Sequence, residues 1–210
     1  MRWFALWPLP VDGLMANRGA QFYPWQLFTY GFLHGGSPWA SLNLLHVFLN
    51  MFGLWMFGSN LEFIWGRLRF LLYYFVCLVG AGLIQLVITT IAVRDGGFPA
   101  PTVGASGAVF GLLLAIGVVF PNERLSIFFT PLSLRAKYWV VGYGLLELTL
   151  GVTSTQSMVA HFAHLGGMIF GFFLIWYWRS QPYWHNGYMN RDAILAAMAA
   201  EAERNQDEGR

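Results

Sequence analysis

Long apolar stretches alternate with short segments rich in polar residues, glycine and proline along this chain. A helix needs about 20 apolar residues to cross a bilayer core about 30 Å thick. Five stretches meet or approach that length and predict membrane-spanning helices at about residues 40–60, 68–93, 106–120, 138–152 and 159–178. The ten-residue alternating segments of a transmembrane barrel are absent from the sequence. The pattern therefore predicts an all-α, polytopic membrane helix bundle with about five spans.

The segments on either side of the apolar region divide the chain into three predicted parts. Residues 1–39 are rich in aromatic residues and broken by prolines, which favours an interfacial outer loop over a span or a cleavable signal peptide. Residues 40–178 form the predicted membrane core. Residues 179–210 end in a run of alanine, glutamate and arginine, which is typical of a polar cytoplasmic tail.

Basic residues in the short loops orient the predicted spans. The loops after the first, third and fifth spans carry Arg67, Arg69, Arg124, Arg135, Lys137, Arg179 and Arg191. The opposite side carries Arg94 beside Asp95, a charge-free segment, 153–158, and the N-terminal Arg2 and Arg18. Because Lys and Arg collect in cytoplasmic loops, we predict residues 1–39 outside and the C-terminus in the cytoplasm. We expect a bacterial inner (plasma) membrane, with a eukaryotic organelle as the alternative.

Composition excludes a soluble enzyme and a nucleic-acid-binding protein. Hydrophobic residues make up 57% of the chain and charged residues only 10%, whereas soluble domains carry roughly 25% charged residues. Aromatic residues reach 18%, as expected at bilayer interfaces and helix contacts. The net charge of +2, from 12 basic and 10 acidic residues, is too balanced for binding nucleic acid. The lipid bilayer is therefore the expected surrounding, and the single cysteine, Cys77, is expected to be an inert packing residue.

Several polar residues lie within the predicted spans, where each costs free energy unless it is paired or functional. They are His46, Asn50, Ser106, Glu147, His161 and His164. The third span covers only about 22 Å at about 1.5 Å per residue, so Ser106 at its start lies below the outer surface. Ser106 then shares one depth with His46, Asn50 and His164. Such a common layer on separate helices indicates a site.

Ser106 and His164 have the residue types of a nucleophile and its general base. Desolvation favours the neutral form of a histidine, which can take the serine proton. Attack on a peptide carbonyl forms an oxyanion that needs hydrogen-bond donors. The backbone N–H groups at the helix start, together with Asn50 and His46, would supply them. No aspartate is placed to orient the base, so the residues predict a Ser–His dyad and not a triad.

Two pairs of glycines indicate close helix packing beside this site. Gly107 and Gly111 on the third span, and Gly167 and Gly171 on the fifth, form small-x-x-x-small faces. Such faces let two helix backbones approach closely. One pair begins next to Ser106, and the other begins just after the candidate base.

Three further residues around the serine support the same interpretation. Gly104 and Gly107 would let a substrate backbone approach closely. Phe110 lies four residues after Ser106 on the same helix face. We expect its ring to stack on the imidazole of His164.

Each candidate also has a structural interpretation. A serine at a helix start is usually an N-cap, and an intramembrane histidine is more often a packing residue or part of an ion path. His161 and His164 could bind a metal, but the sequence shows no obvious third ligand, so no metal is predicted. Glu147 is expected to pair with a polar neighbour in the bundle. A transporter using His46, His161 and His164 would need charged partners, and only Glu147 is available.

Four segments, in order, resemble the rhomboid intramembrane serine proteases over about residues 25–178. They are PWQLFTYGFLH, HVFLN, GASGAVFG and AHFAHLGGMIFG. The family pattern H-x-x-x-N, G-x-S-G and A-H-x-x-G is met by His46, Asn50, Gly104, Ser106, Gly107, Ala163, His164 and Gly167. The resemblance implies Ser106 as the nucleophile and His164 as the base. It implies an oxyanion hole formed by Asn50, His46 and the Ser106 backbone N–H.

The resemblance also implies a substrate class. It implies a serine endopeptidase that cleaves the transmembrane segments of single-span membrane proteins, which enter sideways between helices. No cofactor or metal is expected, and water would reach the dyad from an outer cavity bordered by His161. The alternative is a catalytically inactive rhomboid-like protein that binds membrane helices. It predicts loss of Ser106 or His164, and both are present.

The chain departs from the family pattern in three respects. The family core has six spans, and we expect the first of them to be missing here. The Trp-Arg pair found in the outer loop of some members is not recognisable. The family tyrosine one turn after the serine is Phe110, which keeps the ring and loses the hydroxyl. In agreement with the pattern, Glu62 in the turn after the first span matches a family glutamate that braces the cytoplasmic loop.

Overall fold

The chain forms a helix bundle with one small hairpin. The computed structural model describes residues 3–11, 21–35, 40–126, 133–153, 158–181 and residue 204. The helices are α1 (Gln26–Thr29), α2 (Ala40–Trp65), α3 (Arg67–Arg94), α4 (Ser106–Val119), α5 (Ala136–Thr153) and α6 (Met158–Arg179). A 3-10 turn, Tyr30–Phe32, continues α1. Strands β1 (Arg124–Ser126) and β2 (Ser133–Arg135) pair in antiparallel fashion between α4 and α5.

The five predicted spans correspond to α2 to α6, so the predicted helical membrane bundle is confirmed. One boundary differs, because α2 continues past Asn60 to Trp65. Glu62 therefore lies in the last turns of a helix and not in the turn after it. Gly66 separates α2 from α3 with a φ of +75°, a left-handed conformation that favours glycine.

The exposed and buried side chains are distributed as in a protein surrounded by lipid. Large apolar side chains on the outer helices face outward, among them Trp55, Val152 and Trp176, each with more than 60% of its surface exposed. Polar side chains lie inside, including Gln85 and Glu147. In water such apolar faces would form aggregation-prone patches. Within the described residues, Leu44–Trp65 and α3 are long and apolar enough to cross a bilayer, and α4 is a shorter apolar helix.

Helix α4 lies at the centre of the bundle. It contacts α2, α3, α5 and α6, and most of its residues are buried. A helix that is apolar all round can be stable only when its whole surface is covered. Because the other long helices provide that cover, α4 need not cross the membrane itself, and its first residue can lie inside the bundle.

The described parts of residues 1–39 pack at the outer ends of α3 and α4. Leu6 and Thr102 exchange two backbone hydrogen bonds of 3.0 and 2.9 Å. The backbone N–H of Leu9 donates to the Thr90 hydroxyl at 3.0 Å. Trp3 is exposed, as expected for a segment at a membrane interface. The three-part division of the chain stays a prediction, since its outer parts include residues outside the described ranges.

Candidate active site

Ser106 is the first residue of α4, and its hydroxyl does not cap the helix. The N-cap residue is Ala105, and no side chain caps this end of α4. The Ser106 hydroxyl is instead hydrogen-bonded to His164 of α6, with 2.7 Å between Oγ and Nε2. The N-cap interpretation of Ser106 is therefore wrong. The helix start leaves unbonded backbone N–H groups around the serine.

Gly104 allows the loop before α4 to bring the serine close to His46. Its φ of +120° is a conformation that side chains rarely adopt. A Cβ at this position would lie 3.0 Å from His46 Nε2 and 3.9 Å from Ser106 Oγ. The Gly104 N–H donates to the Tyr30 carbonyl at 3.0 Å. The loop is thus held from the outer side, and His46 and Ser106 border the same small space.

Phe110 and Tyr143 fix the plane of the His164 ring. The Phe110 ring stacks on the imidazole with centroids 4.2 Å apart and an interplanar angle of 6°. Tyr143 of α5 meets Phe110 edge-on, with centroids 5.9 Å apart. The stacking expected from the spacing of Phe110 and Ser106 is present. Since aromatic pairs of this geometry are favourable by about 0.5–1.5 kcal/mol, they restrict rotation of the imidazole.

Glu147 of α5 lies between two histidines of α6. The Nδ1–H of His161 donates to Glu147 Oε2 at 2.6 Å, so the expected pairing of Glu147 with a polar neighbour is confirmed. The same oxygen lies 3.0 Å from His164 Nδ1. That approach is off the direction of the ring N–H, and Nδ1 has no other hydrogen-bond partner among the described residues. Sequence reasoning missed this second contact.

The candidate base His164 does have a carboxylate beside it, which comes from a glutamate and not from an aspartate. Glu147 occupies the side of His164 opposite Ser106, because the two ring nitrogens point to different partners. One signal for Glu147 was present in the sequence, because it is an ionisable residue in an otherwise apolar predicted span. That signal identifies a residue in need of a partner, but not which partner it finds.

Asn50 lies one helical turn after His46 and is buried. Its Nδ2 donates to the His46 carbonyl at 2.9 Å, which leaves the second amide hydrogen for another acceptor. Its Oδ1 has no partner among the described residues. A buried amide with unused hydrogen-bonding capacity costs stability and calls for an explanation such as a functional role.

His34 contacts the same region from the outer segment. Its ring meets that of His46 edge-on, with centroids 5.4 Å apart. Burial and the neighbouring His46 lower the pKa of His34, which favours its neutral form. The structure thus places His34 half-buried beside a candidate site residue.

The cluster of Glu147, His161 and His164 supplies the third metal ligand that was not obvious in the sequence. One ligand atom from each residue lies within 4.8 Å of the others. Two histidines and one glutamate are a known donor set for Zn²⁺. In the structure His161 is hydrogen-bonded to Glu147, and His164 Nδ1 lies 3.0 Å from the same carboxylate oxygen. The expectation that catalysis needs no metal stays a prediction.

Comparisons with known proteins agree with the motifs. A model of the Rhomboid domain matches residues 21–181. The presenilin-associated rhomboid-like protein, mitochondrial, of Bos taurus is 32% identical over 145 residues, which are 67% of this chain and 36% of that protein. Rhomboid protein 1, mitochondrial, of Saccharomyces cerevisiae is 29% identical over 143 residues, 68% of this chain and 40% of that protein.

A bacterial relative completes the comparison. Rhomboid protease GluP of Bacillus subtilis is 29% identical over 149 residues, 71% of this chain and 25% of that protein. The chain thus matches between a quarter and two-fifths of the length of these relatives.

Proposed function

The chain belongs to the rhomboid family of integral membrane proteins, and we propose that it is a serine endopeptidase that cleaves transmembrane segments of single-span membrane proteins. The observation that carries this proposal is the 2.7 Å hydrogen bond between Ser106 Oγ and His164 Nε2. A serine hydroxyl becomes a useful nucleophile only when a base within this distance takes its proton.

The two residues would act in the order usual for acyl transfer. Ser106 Oγ attacks the scissile carbonyl carbon while His164 Nε2 takes the hydroxyl proton. The tetrahedral intermediate collapses, the C–N bond breaks, and His164 returns the proton to the leaving amine. Water then attacks the acyl-enzyme ester with His164 again as the base, which releases the second product and restores the Ser106 hydroxyl.

Three groups are proposed as donors to the oxyanion. The backbone N–H of Ser106 belongs to the unbonded first turn of α4. The imidazole of His46 borders the space beside Gly104 and Ser106, and Asn50, one turn further along α2, has an unused amide hydrogen. Donors that are fixed before the reaction stabilise the developing charge without having to reorganise. Rigid placement of Asn50 and His46 on α2 supports this role.

The packing of the bundle supports sideways entry of the substrate. Helices α2 and α5 each contact α4, but they share few direct contacts with one another. Apolar side chains line the outer faces of both helices, for example Leu44 and Leu145. A substrate helix moving in the bilayer could approach α4 between them and reach Ser106 near its outer end.

The compartment stays a prediction. The sequence favours a bacterial inner membrane, whereas the named relatives include proteins of mitochondria and a Bacillus protease. The position of the site within the helix bundle does not depend on which of these membranes contains the protein.

Cleavage of a single-span reporter tests the proposed function. The purified chain is reconstituted in liposomes with a reporter that carries small residues near the outer end of its span. We expect cleavage by the wild type and none by Ser106→Ala. The exposed Ser59 of α2 offers a matched control, so Ser59→Ala should cleave normally. A catalytically inactive, helix-binding protein would bind the reporter and leave it intact.

A further inference from the structure

Glu147 is the only acidic side chain that is buried among the described residues. Burying a carboxylate costs several kcal/mol unless it is paired. In a chain with so few charged residues, a buried glutamate in the middle of an apolar helix needs a reason beyond packing. The hydrogen bond from His161 satisfies part of its capacity. The same carboxylate oxygen also lies close to His164 Nδ1.

The contact with His164 is made at the ring nitrogen that the serine does not use. Nε2 faces Ser106 Oγ at 2.7 Å, and Nδ1 lies 3.0 Å from Glu147 Oε2. A neutral imidazole carries its proton on one nitrogen only. For Nε2 to accept the serine proton, the imidazole proton must reside on Nδ1, which lies 3.0 Å from Glu147 Oε2.

The same carboxylate would act again when the base becomes charged. After proton transfer His164 is an imidazolium, and a carboxylate 3.0 Å away stabilises that charge. His161 fixes the other side of this arrangement, because its short hydrogen bond holds Oε2 in place. The Phe110 ring prevents the imidazole from tilting away. Three helices thus set the orientation of one histidine.

We propose that Glu147 is a positioning residue for catalysis, which holds His164 in the base-competent tautomer and is itself held by His161. The proposal rests on the proposed function, since it requires His164 to act as a general base. A purely structural Glu147 would need to satisfy His161 alone, and nothing would require its Oε2 to lie 3.0 Å from His164 Nδ1 as well. The position of Oε2 between the two rings favours the positioning role.

Glu147→Gln tests the proposal, because the amide keeps the shape of the side chain and removes its charge. Removing the orienting carboxylate of a serine protease triad costs on the order of 10⁴ in kcat. Because the contact here is off-axis, we expect a smaller loss, about 10- to 100-fold in kcat, with KM nearly unchanged. Thr149→Val is the control on the same helix, since this exposed hydroxyl donates to the Leu145 carbonyl of its own helix.

Histidine NMR provides a second measurement, which reads the tautomer of His164 in the wild-type protein. The chain has five histidines, so ¹⁵N-histidine labelling gives few signals, and loss of a signal in His164→Gln assigns the base. We expect the wild-type His164 to carry its proton on Nδ1, with a resonance shifted downfield by the carboxylate. A proton on Nε2 in the wild type would overturn the proposal.

The possible outcomes separate this inference from the proposed function. If the wild type cleaves the reporter through Ser106 while folded Glu147→Gln keeps the wild-type kcat, the positioning role is wrong and the protease stands. If the wild type itself never cleaves, both fall together. If Glu147→Gln loses kcat but keeps its KM and thermal stability while Thr149→Val is unaffected, the positioning role is supported.

Discussion

Gly167 of α6 and Gly107 of α4 touch through their backbones. A Cβ at Gly167 would overlap the Gly107 carbonyl oxygen. A Cβ at Gly107 would in turn lie 3.2 Å from the Ala163 carbonyl. Gly107 follows the serine directly, and Gly167 comes three residues after the histidine. This contact therefore sets the separation of Ser106 and His164.

Any side chain at Gly167 should push α4 and α6 apart. We expect Gly167→Ala to lower the free energy of unfolding by about 3 kcal/mol or more and to reduce cleavage strongly, because the overlapping atom is backbone and cannot turn away. Thermal unfolding in detergent and the reporter assay measure the two effects. Gly142 on α5 is the control, since a Cβ there meets nothing within 4 Å. A Gly167→Ala variant as stable and active as Gly142→Ala would contradict this packing.

Asn50→Ala should slow cleavage without abolishing it. Loss of one oxyanion donor costs about 10²–10³ in kcat, and the remaining donors would still act. Asn60→Ala is a closely matched control. Asn60 lies on the same helix, is exposed, and makes the same bond to the carbonyl four residues earlier, at 2.9 Å. Equal kcat values for the two variants would remove Asn50 from the oxyanion hole.

Phe110→Leu should lower kcat by roughly three- to tenfold, because the favourable energy of a stacked aromatic pair is lost. Phe110→Tyr keeps the ring that stacks on His164 and should retain activity. Steady-state kinetics with the reporter distinguish the two variants. A Phe110→Leu enzyme with the kcat of the wild type would show that stacking does not contribute to orienting the base.

Zn²⁺ is expected to inhibit, and a chelator should reverse the inhibition. A metal ion held by Glu147, His161 and His164 would occupy Nδ1 of His164 and move its proton to Nε2. The imidazole could then no longer accept the serine proton. His161→Gln should weaken inhibition by removing one ligand. Inhibition by the same Zn²⁺ concentration in wild type and His161→Gln would place the metal elsewhere.

The helices could be predicted from the sequence because a bilayer imposes a minimum length on an apolar helix. This constraint applies to α2, α3, α5 and α6 and is independent of their packing, whereas α4, with 14 residues, is shorter than a bilayer span. The length constraint does not determine where a helix ends, because membrane helices can extend beyond the hydrocarbon core. The end of α2 at Trp65, five residues past the predicted Asn60, was therefore not predictable. The strands β1 and β2 have three residues each, too few for a periodic pattern to be visible.

The candidate site was only partly predictable. Motif spacing and depth brought Ser106, His46, Asn50 and His164 into one layer, and glycine spacing indicated the contact of α4 with α6. The position of Glu147 depends on the rotation of α5 about its own axis. Nothing local in the sequence sets that rotation, because it results from packing against α4 and α6. The second contact of Glu147 was therefore not foreseeable.

The central claim is that Ser106 is activated by His164, and labelling with a fluorescent fluorophosphonate tests it most directly. Such probes react with an activated serine without requiring a known substrate. The purified protein is compared with Ser106→Ala, His164→Ala and the control Ser59→Ala, with helicity checked by circular dichroism. The account predicts labelling of the wild type and Ser59→Ala, and none of the other two. Absence of labelling in a folded wild type, or full labelling of His164→Ala, would contradict it.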